Sequence, residues 1–195
     1  QISPAQKDFI ARLSSQANHL EDLIISILDY TRLEYGKKFE VRREPVSVSS
    51  IINDVVEAMR PEFEKKEIRV DLNLSPSLPT IISDEAKIER ILTNLLGNSF
   101  KFTPRRGVIT VSAQPSNNHI TVAVTDTGIG IAPENLTKIF DRFYQVDSSI
   151  TRGYGGIGMG LTIAKELVEA LGGEIRAESG GEGKGATFSF TLQLS

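Results

Sequence analysis

The chain has 195 residues, 39% of them hydrophobic and 24% charged, with a formal net charge of −3 and no cysteine. That length suits one large or two small globular domains, and the composition excludes a disulfide scaffold, a thiolate metal site and a broad basic surface for nucleic acid or anionic membrane. Two histidines are too few for a zinc cluster, and the apolar runs are too short to span a bilayer.

Residues 3 to 35 predict one long helix. Ser3 caps it, Pro4 sits in its first turn, Gln6 follows three residues after the serine, and Gly36 closes it. Ile10, Leu13, Ala17, Leu20, Ile24, Ile27 and Thr31 recur at alternating spacings of three and four, and Leu23, Ile25 and Leu28 widen the stripe. Such a helix is expected to join a bundle, and a homodimer through it is the simplest completion. His19 lies just off the stripe and reads as a partly exposed bundle residue. The opening residues lack the pattern of a signal peptide, and because the chain begins at Gln1 rather than methionine it is expected to be part of a longer protein, whose other parts can carry a membrane anchor.

From residue 37 onward the pattern is that of a mixed α/β domain. Strands are expected at 38 to 46, 68 to 74 and 80 to 83, with an amphipathic helix from Ser47 to about Lys66 between the first two. The segment DEAKIERILTNLLGNSFKFTP, Asp84 to Pro104, predicts a second helix, capped by Ser83 or Asp84 and stopped by Pro104. Plotted at 100° per residue, Ile88, Ile91, Leu92, Leu95, Leu96, Ser99 and Phe102 share one side, whereas Arg90, Asn94, Asn98 and Lys101 share another. A solvated face normally carries Glu and Lys. Two amides one turn apart, followed by a cation, form a face suited to a metal and an anion.

Two strands at 107 to 113 and 119 to 125 predict a hairpin across residues 116 to 118, with His119 opening the second strand. Beyond it lie DTGIGI at Asp126 to Ile131, a helix from about Pro133 to Phe140, a long loop at 141 to 159, a helix from Gly160 to Leu171, and two final strands at 174 to 179 and 186 to 194 joined by GGEGKG. Asp126 stands where a strand meets a glycine turn, so its carboxylate can accept from an exocyclic amine while the glycines let backbone approach a ligand closely. The cluster Gly155-Gly156-Ile157-Gly158-Met159-Gly160 runs into a helix start, where free amides attract anions. It matches neither a P-loop nor a dinucleotide fingerprint.

In order, NLLGNSFKFT, DTGIGI, FDRF, GGIGMGL and GATF resemble the N, G1, F, G2 and G3 boxes of the sensor histidine kinase catalytic domain, in the superfamily shared with gyrases and heat-shock chaperones. The first helix, ending ILDYTRLEYGK, is similar to the second helix of that family's dimerisation and phosphotransfer domain. The resemblance implies two domains, 1–36 and 37–195, the latter an α/β (α+β) two-layer sandwich whose mixed sheet is covered on one face by helices. It implies ATP and Mg²⁺ as cofactors, with Asn98 as metal ligand and Lys101 facing the phosphates. Asp126 would take the adenine amine, Gly128 and Gly130 admit the ring, and Thr187 complete the adenine end. Phe140 and Phe143 would brace an ATP lid at about 144–157, while Gly156, Gly158 and Gly160 supply its hinge and phosphate amides. Arg152 is the lid cation, and Phe102, Ile131, Tyr144, Met159 and Leu161 complete the implied nucleotide contacts.

Asn94 occupies the position where hydrolysing relatives carry a water-activating Glu. An amide cannot act as a general base near neutral pH, so transfer is favoured over hydrolysis. The family's acceptor motif is absent: His19 is followed by Leu20-Glu21-Asp22, so the receiving histidine is expected on a helix outside this chain, and Gln145 stands where many relatives carry Arg. The implied activity is therefore passage of the ATP γ-phosphoryl to that histidine and on to the receiver domain of a response regulator, in the cytoplasm and with no nucleic acid or direct membrane contact. A non-catalytic nucleotide-binding regulatory module is the alternative.

Overall fold

The computed structural model describes residues 39–145 and 158–194, together with Ser3, Gln6, Phe9, Ile10 and Ile24. The chain divides into two units, Gln1–Lys38 and Phe39–Ser195. In the first, Gln6 N–H donates to Ser3 Oγ at 3.3 Å and Ser3 N–H donates to Gln6 Oε1 at 2.9 Å, the reciprocal cap expected from their spacing. Ile10 and Ile24 of the heptad stripe are 52% and 50% exposed; the rest of the stripe lies outside the described residues.

In the second unit β1 (Glu44–Ser47) pairs antiparallel with β3 (Thr80–Ser83). A five-stranded sheet contains β2 (Arg69–Leu74), β4 (Val108–Pro115), β5 (His119–Asp126), β7 (Ala186–Gln193) and β6 (Ile175–Glu178) in that spatial order. β2 and β4 run parallel and all other pairs antiparallel, so the sheet is mixed. With α1 (Val48–Lys65), α2 (Glu85–Phe102) and α3 (Gly160–Ala170) it makes the expected α/β sandwich.

Period-two patterning sets the sheet's two faces. Ile109, Val111, Ala113, Ile120, Val122, Val124, Phe188, Phe190 and Leu192 are buried, whereas Thr110, Ser112, Thr121, Ser189 and Thr191 between them remain half-buried on the other side. Each large apolar side chain so removed from water contributes about 1.5–3 kcal/mol.

α2 buries Ile88, Ile91, Leu92, Leu95, Leu96 and Ser99, the side its spacing marks as apolar. Asp84 is its N-cap: Oδ1 accepts the Lys87 N–H at 3.1 Å, and Oδ2 accepts Lys87 Nζ at 2.6 Å and the Arg42 N–H at 2.9 Å. The C-cap Thr103 is extended, with ψ 126°, as a residue before proline should be.

Two expectations change. The strand expected from residue 38 begins only at Glu44, and the helix expected over 133 to 140 is a single 3₁₀ turn, Pro133–Asn135, followed by turns. Bonds such as Lys138 N–H to Asn135 O at 2.9 Å and Asp141 N–H to Lys138 O at 2.8 Å span three residues. Of residues 133–140 only Ile139 is buried, so no apolar stripe offsets the cost of nucleating an α-helix.

Candidate functional site

The site is built around the end of β5. Asp126 is 6% exposed and turned towards α2: its Oδ2 accepts the Ser99 hydroxyl at 3.2 Å and its Oδ1 accepts the Gly128 N–H at 2.8 Å. Burial pushes the carboxyl above its ordinary range, against the pull of the Gly128 amide, the Ser99 hydroxyl and the Ala186 amide. The carboxylate retains acceptor capacity for an incoming donor.

The glycine turn after Asp126 is lashed on two sides. Ile129 N–H donates to Phe102 O on α2, while Gly183 and Gly185 N–H donate to Ile129 O and Gly128 O from the β6–β7 loop. Ser179 ties that loop together, since its Oγ accepts from Ile131 N–H at 3.0 Å and donates to Gly185 O at 2.6 Å. A Cβ at Gly128 would lie 2.6 Å from Phe102 O, and Gly130 combines φ +72° with a Cβ position 2.1 Å from Gly181 O. Only glycine fits at either position.

The polar row of α2 runs alongside. Lys101 is half-buried, which lowers its ammonium pKa; its Nζ lies 5.0 Å from the Phe102 ring centroid, and it makes no ion pair among the described residues. Asn98 is half-buried, and its side chain has no hydrogen-bond partner there either. Asn94 Nδ2 is sealed from solvent without a partner among the described residues. Gly160, the first residue of α3, faces this row, its Cβ position 3.7 Å from Asn94 Oδ1. Met159 is buried at the α3 N-cap and Leu161 is half-buried beyond it. Thr162 donates to the carbonyls of Phe140 and Asp141, fixing α3 to the FDRF segment.

The two stems of the expected lid touch. A Cβ at Gly158, φ +74°, would lie 2.9 Å from Tyr144 O, and the Tyr144 hydroxyl donates to Asn135 Oδ1 at 2.7 Å. Phe143 is 53% exposed with φ +60°, a strained conformation for an aromatic residue; most of the lid it is expected to brace lies outside the described residues. Arg152 and Gly156 lie outside the described residues. Thr187 is not brought to this face: it pairs with Thr125, hydroxyl to hydroxyl at 3.0 Å, on the opposite side of the sheet, while Ala186 is the residue paired with Asp126. Ser99 and Ser179 were not singled out from the sequence as site residues. Ser99 left one signal, being the lone hydroxyl on the apolar stripe.

A family model for histidine kinase-, DNA gyrase B- and HSP90-like ATPases matches residues 83–195. The chain belongs to this ATPase family. The matched span contains all of α2, both glycine turns and α3, so every described site residue lies within it. Among curated relatives, the signal transduction histidine-protein kinase BarA of Escherichia coli K12 is 34% identical over 100% of this chain and 22% of its own length. The autoinducer 2 sensor kinase/phosphatase LuxQ of Vibrio harveyi is 36% identical over 97% of this chain and again 22% of its own length. The chain thus spans about a fifth of these relatives. A crystal structure of full-length ShkA in complex with AMPPNP superposes with a TM-score of 0.81 at 31% identity, covering 100% of this chain and 40% of that one.

Proposed function

We propose that the chain is the ATP-binding catalytic unit of a sensor histidine kinase, transferring the γ-phosphoryl group of ATP to a histidine outside this chain and thence to a response-regulator aspartate. The observation that carries this reading is the bond from Ser99 to buried Asp126, because it sets an acceptor for the adenine amine within one turn of Asn98 and Lys101. In this reading Asp126 takes the base, Gly128 and Gly130 admit the ring, the long side chain of Lys101 and the α3 amides meet the phosphates, and Arg152 and Gly156 act from the lid. A phosphate beside Lys101 would relieve the burial that depresses its pKa.

The donor set fits Mg²⁺. Among the described residues no three acidic or histidine side chains gather to grip an ion, whereas one hard amide oxygen at Asn98, beside a triphosphate, is the usual protein share for this cation. When bound, the cation neutralises charge on the β- and γ-phosphates. Asn94 supplies no base, so the chain orients and stabilises but does not activate water, as transfer to a nucleophilic imidazole requires. The exposed heptad residues Ile10 and Ile24 support a homodimer through the N-terminal helix. No helix among the described residues is long and apolar enough to cross a membrane; we place the unit in the cytoplasm, where ATP and receiver domains meet.

The test is incubation with radiolabelled Mg-ATP and a helical hairpin carrying an acceptor histidine. Acid-labile label on that histidine, abolished by Asn98→Ala, is the expected result. Nucleotide binding without transfer to any competent acceptor would favour the non-catalytic module.

A further inference from the structure

Arg90 stands one turn before Asn94 on α2, on the polar row that continues to Asn98 and Lys101. Its Nε is sealed from solvent and, like Asn94 Nδ2, has no partner among the described residues; nor does Arg90 join an ion pair there. Leaving buried donors unpaired is costly, and the cost is greater for a charged group. Residues four apart on a helix place their Cβ atoms about 5–6 Å from one another, so the two orphan donors are neighbours. The start of α3 closes in from the other side at Gly160, and its N-cap Met159 provides no side-chain acceptor for the free amides. Three sources of positive potential therefore meet, and among the described residues no acidic side chain pairs with Arg90 and neither orphan donor has an acceptor. The partner that their charge calls for is an anion.

Position along the helix identifies which anion. The adenine end is marked by Ser99, and Arg90 lies nine residues earlier, about 13 Å along the axis at 1.5 Å per residue. That separation is comparable with the length of an extended nucleoside triphosphate, from its exocyclic amine to its terminal phosphorus. We propose that Arg90, with Asn94, holds the terminal phosphate of the bound nucleotide, so that Arg90 is the residue that distinguishes a triphosphate from a diphosphate. This rests on the nucleotide-site reading above.

The test is calorimetric titration of the chain with Mg-AMPPNP and, separately, Mg-ADP, for wild type, Arg90→Gln and Arg90→Lys. Loss of a charged hydrogen bond to the terminal phosphate weakens AMPPNP binding about tenfold or more in Arg90→Gln. ADP binding changes less than about twofold. Arg90→Lys recovers part of the loss, because it keeps the charge but not the planar fork. Equal weakening of both nucleotides assigns Arg90 a packing role and overturns the proposal, as does an unchanged AMPPNP affinity. Melting midpoints without nucleotide report folding; if the glutamine variant does not fold, the same AMPPNP-to-ADP ratio is read on the lysine variant. Wild-type chain that binds neither nucleotide overturns the nucleotide site itself, whereas wild type that binds both with an unaltered ratio in the variants overturns only the role of Arg90.

Discussion

Ligand recognition and stability oppose one another at Asp126. Burial raises its carboxyl pKa above the ordinary 3.8, so folding favours the neutral form relative to the unfolded chain. The stability this group contributes is complete below that ordinary value and is lost as pH rises through the higher folded pKa. At neutral pH the ionised carboxylate is therefore a cost. Asp126→Asn keeps an acceptor for the Gly128 amide and offers a donor to Ser99, so its melting midpoint at pH 7 is expected to equal or exceed that of wild type, with less change between pH 4 and 7. A midpoint several degrees lower would show that the charge itself holds the turn. Gly128 behaves differently, because the atoms a Cβ would meet are backbone and the buried carboxylate. Gly128→Ala is expected to destabilise the chain by about 1–3 kcal/mol in urea unfolding, and an unchanged midpoint would contradict the close packing.

α2 shows what can be read from an element's sequence. Its apolar stripe, its Asp84 cap and its stop at Pro104 each follow from local rules, and each is realised. What local rules could not supply is pairing. Thr187 was drawn to the adenine end by motif order alone, but the register Asp126 to Ala186 fixes strand parity and turns Thr187 to the other face. Likewise the 133–140 segment has helical composition but buries only Ile139. Asp84 can be tested directly. Burial pushes its carboxyl up, but the Lys87 ammonium and the Arg42 and Lys87 amides outweigh this and leave it below its ordinary 3.8. Its contribution is thus present above that value and fades as pH falls through the folded pKa. Asp84→Ala should cost about 1–3 kcal/mol at pH 7 by urea unfolding, with the difference from wild type shrinking towards pH 2. A difference independent of pH would mean that the charge is irrelevant.

For the whole molecule, five short motifs in order carried the family, and the match over residues 83–195 agrees with them. The fold was legible because strand alternation and two strong helical stripes leave few ways to layer the chain. The site was only partly legible: Asp126 and the glycine turn adjoin the helix that carries Asn98 and Lys101, whereas the supports at Ser99 and Ser179 depend on contacts between residues 27 and 48 positions apart. No periodicity encodes such pairs. Because the chain covers about a fifth of its curated relatives' length, the reading of the whole protein turns on the nucleotide site. Equilibrium titration with Mg-ATP tests that site most directly, on wild type and on Asp126→Asn confirmed as folded by its melting midpoint. The account predicts saturable one-to-one binding by wild type and loss of affinity by at least about tenfold, the order expected for one charge-assisted hydrogen bond, in the variant. Equal affinity in the two would contradict it.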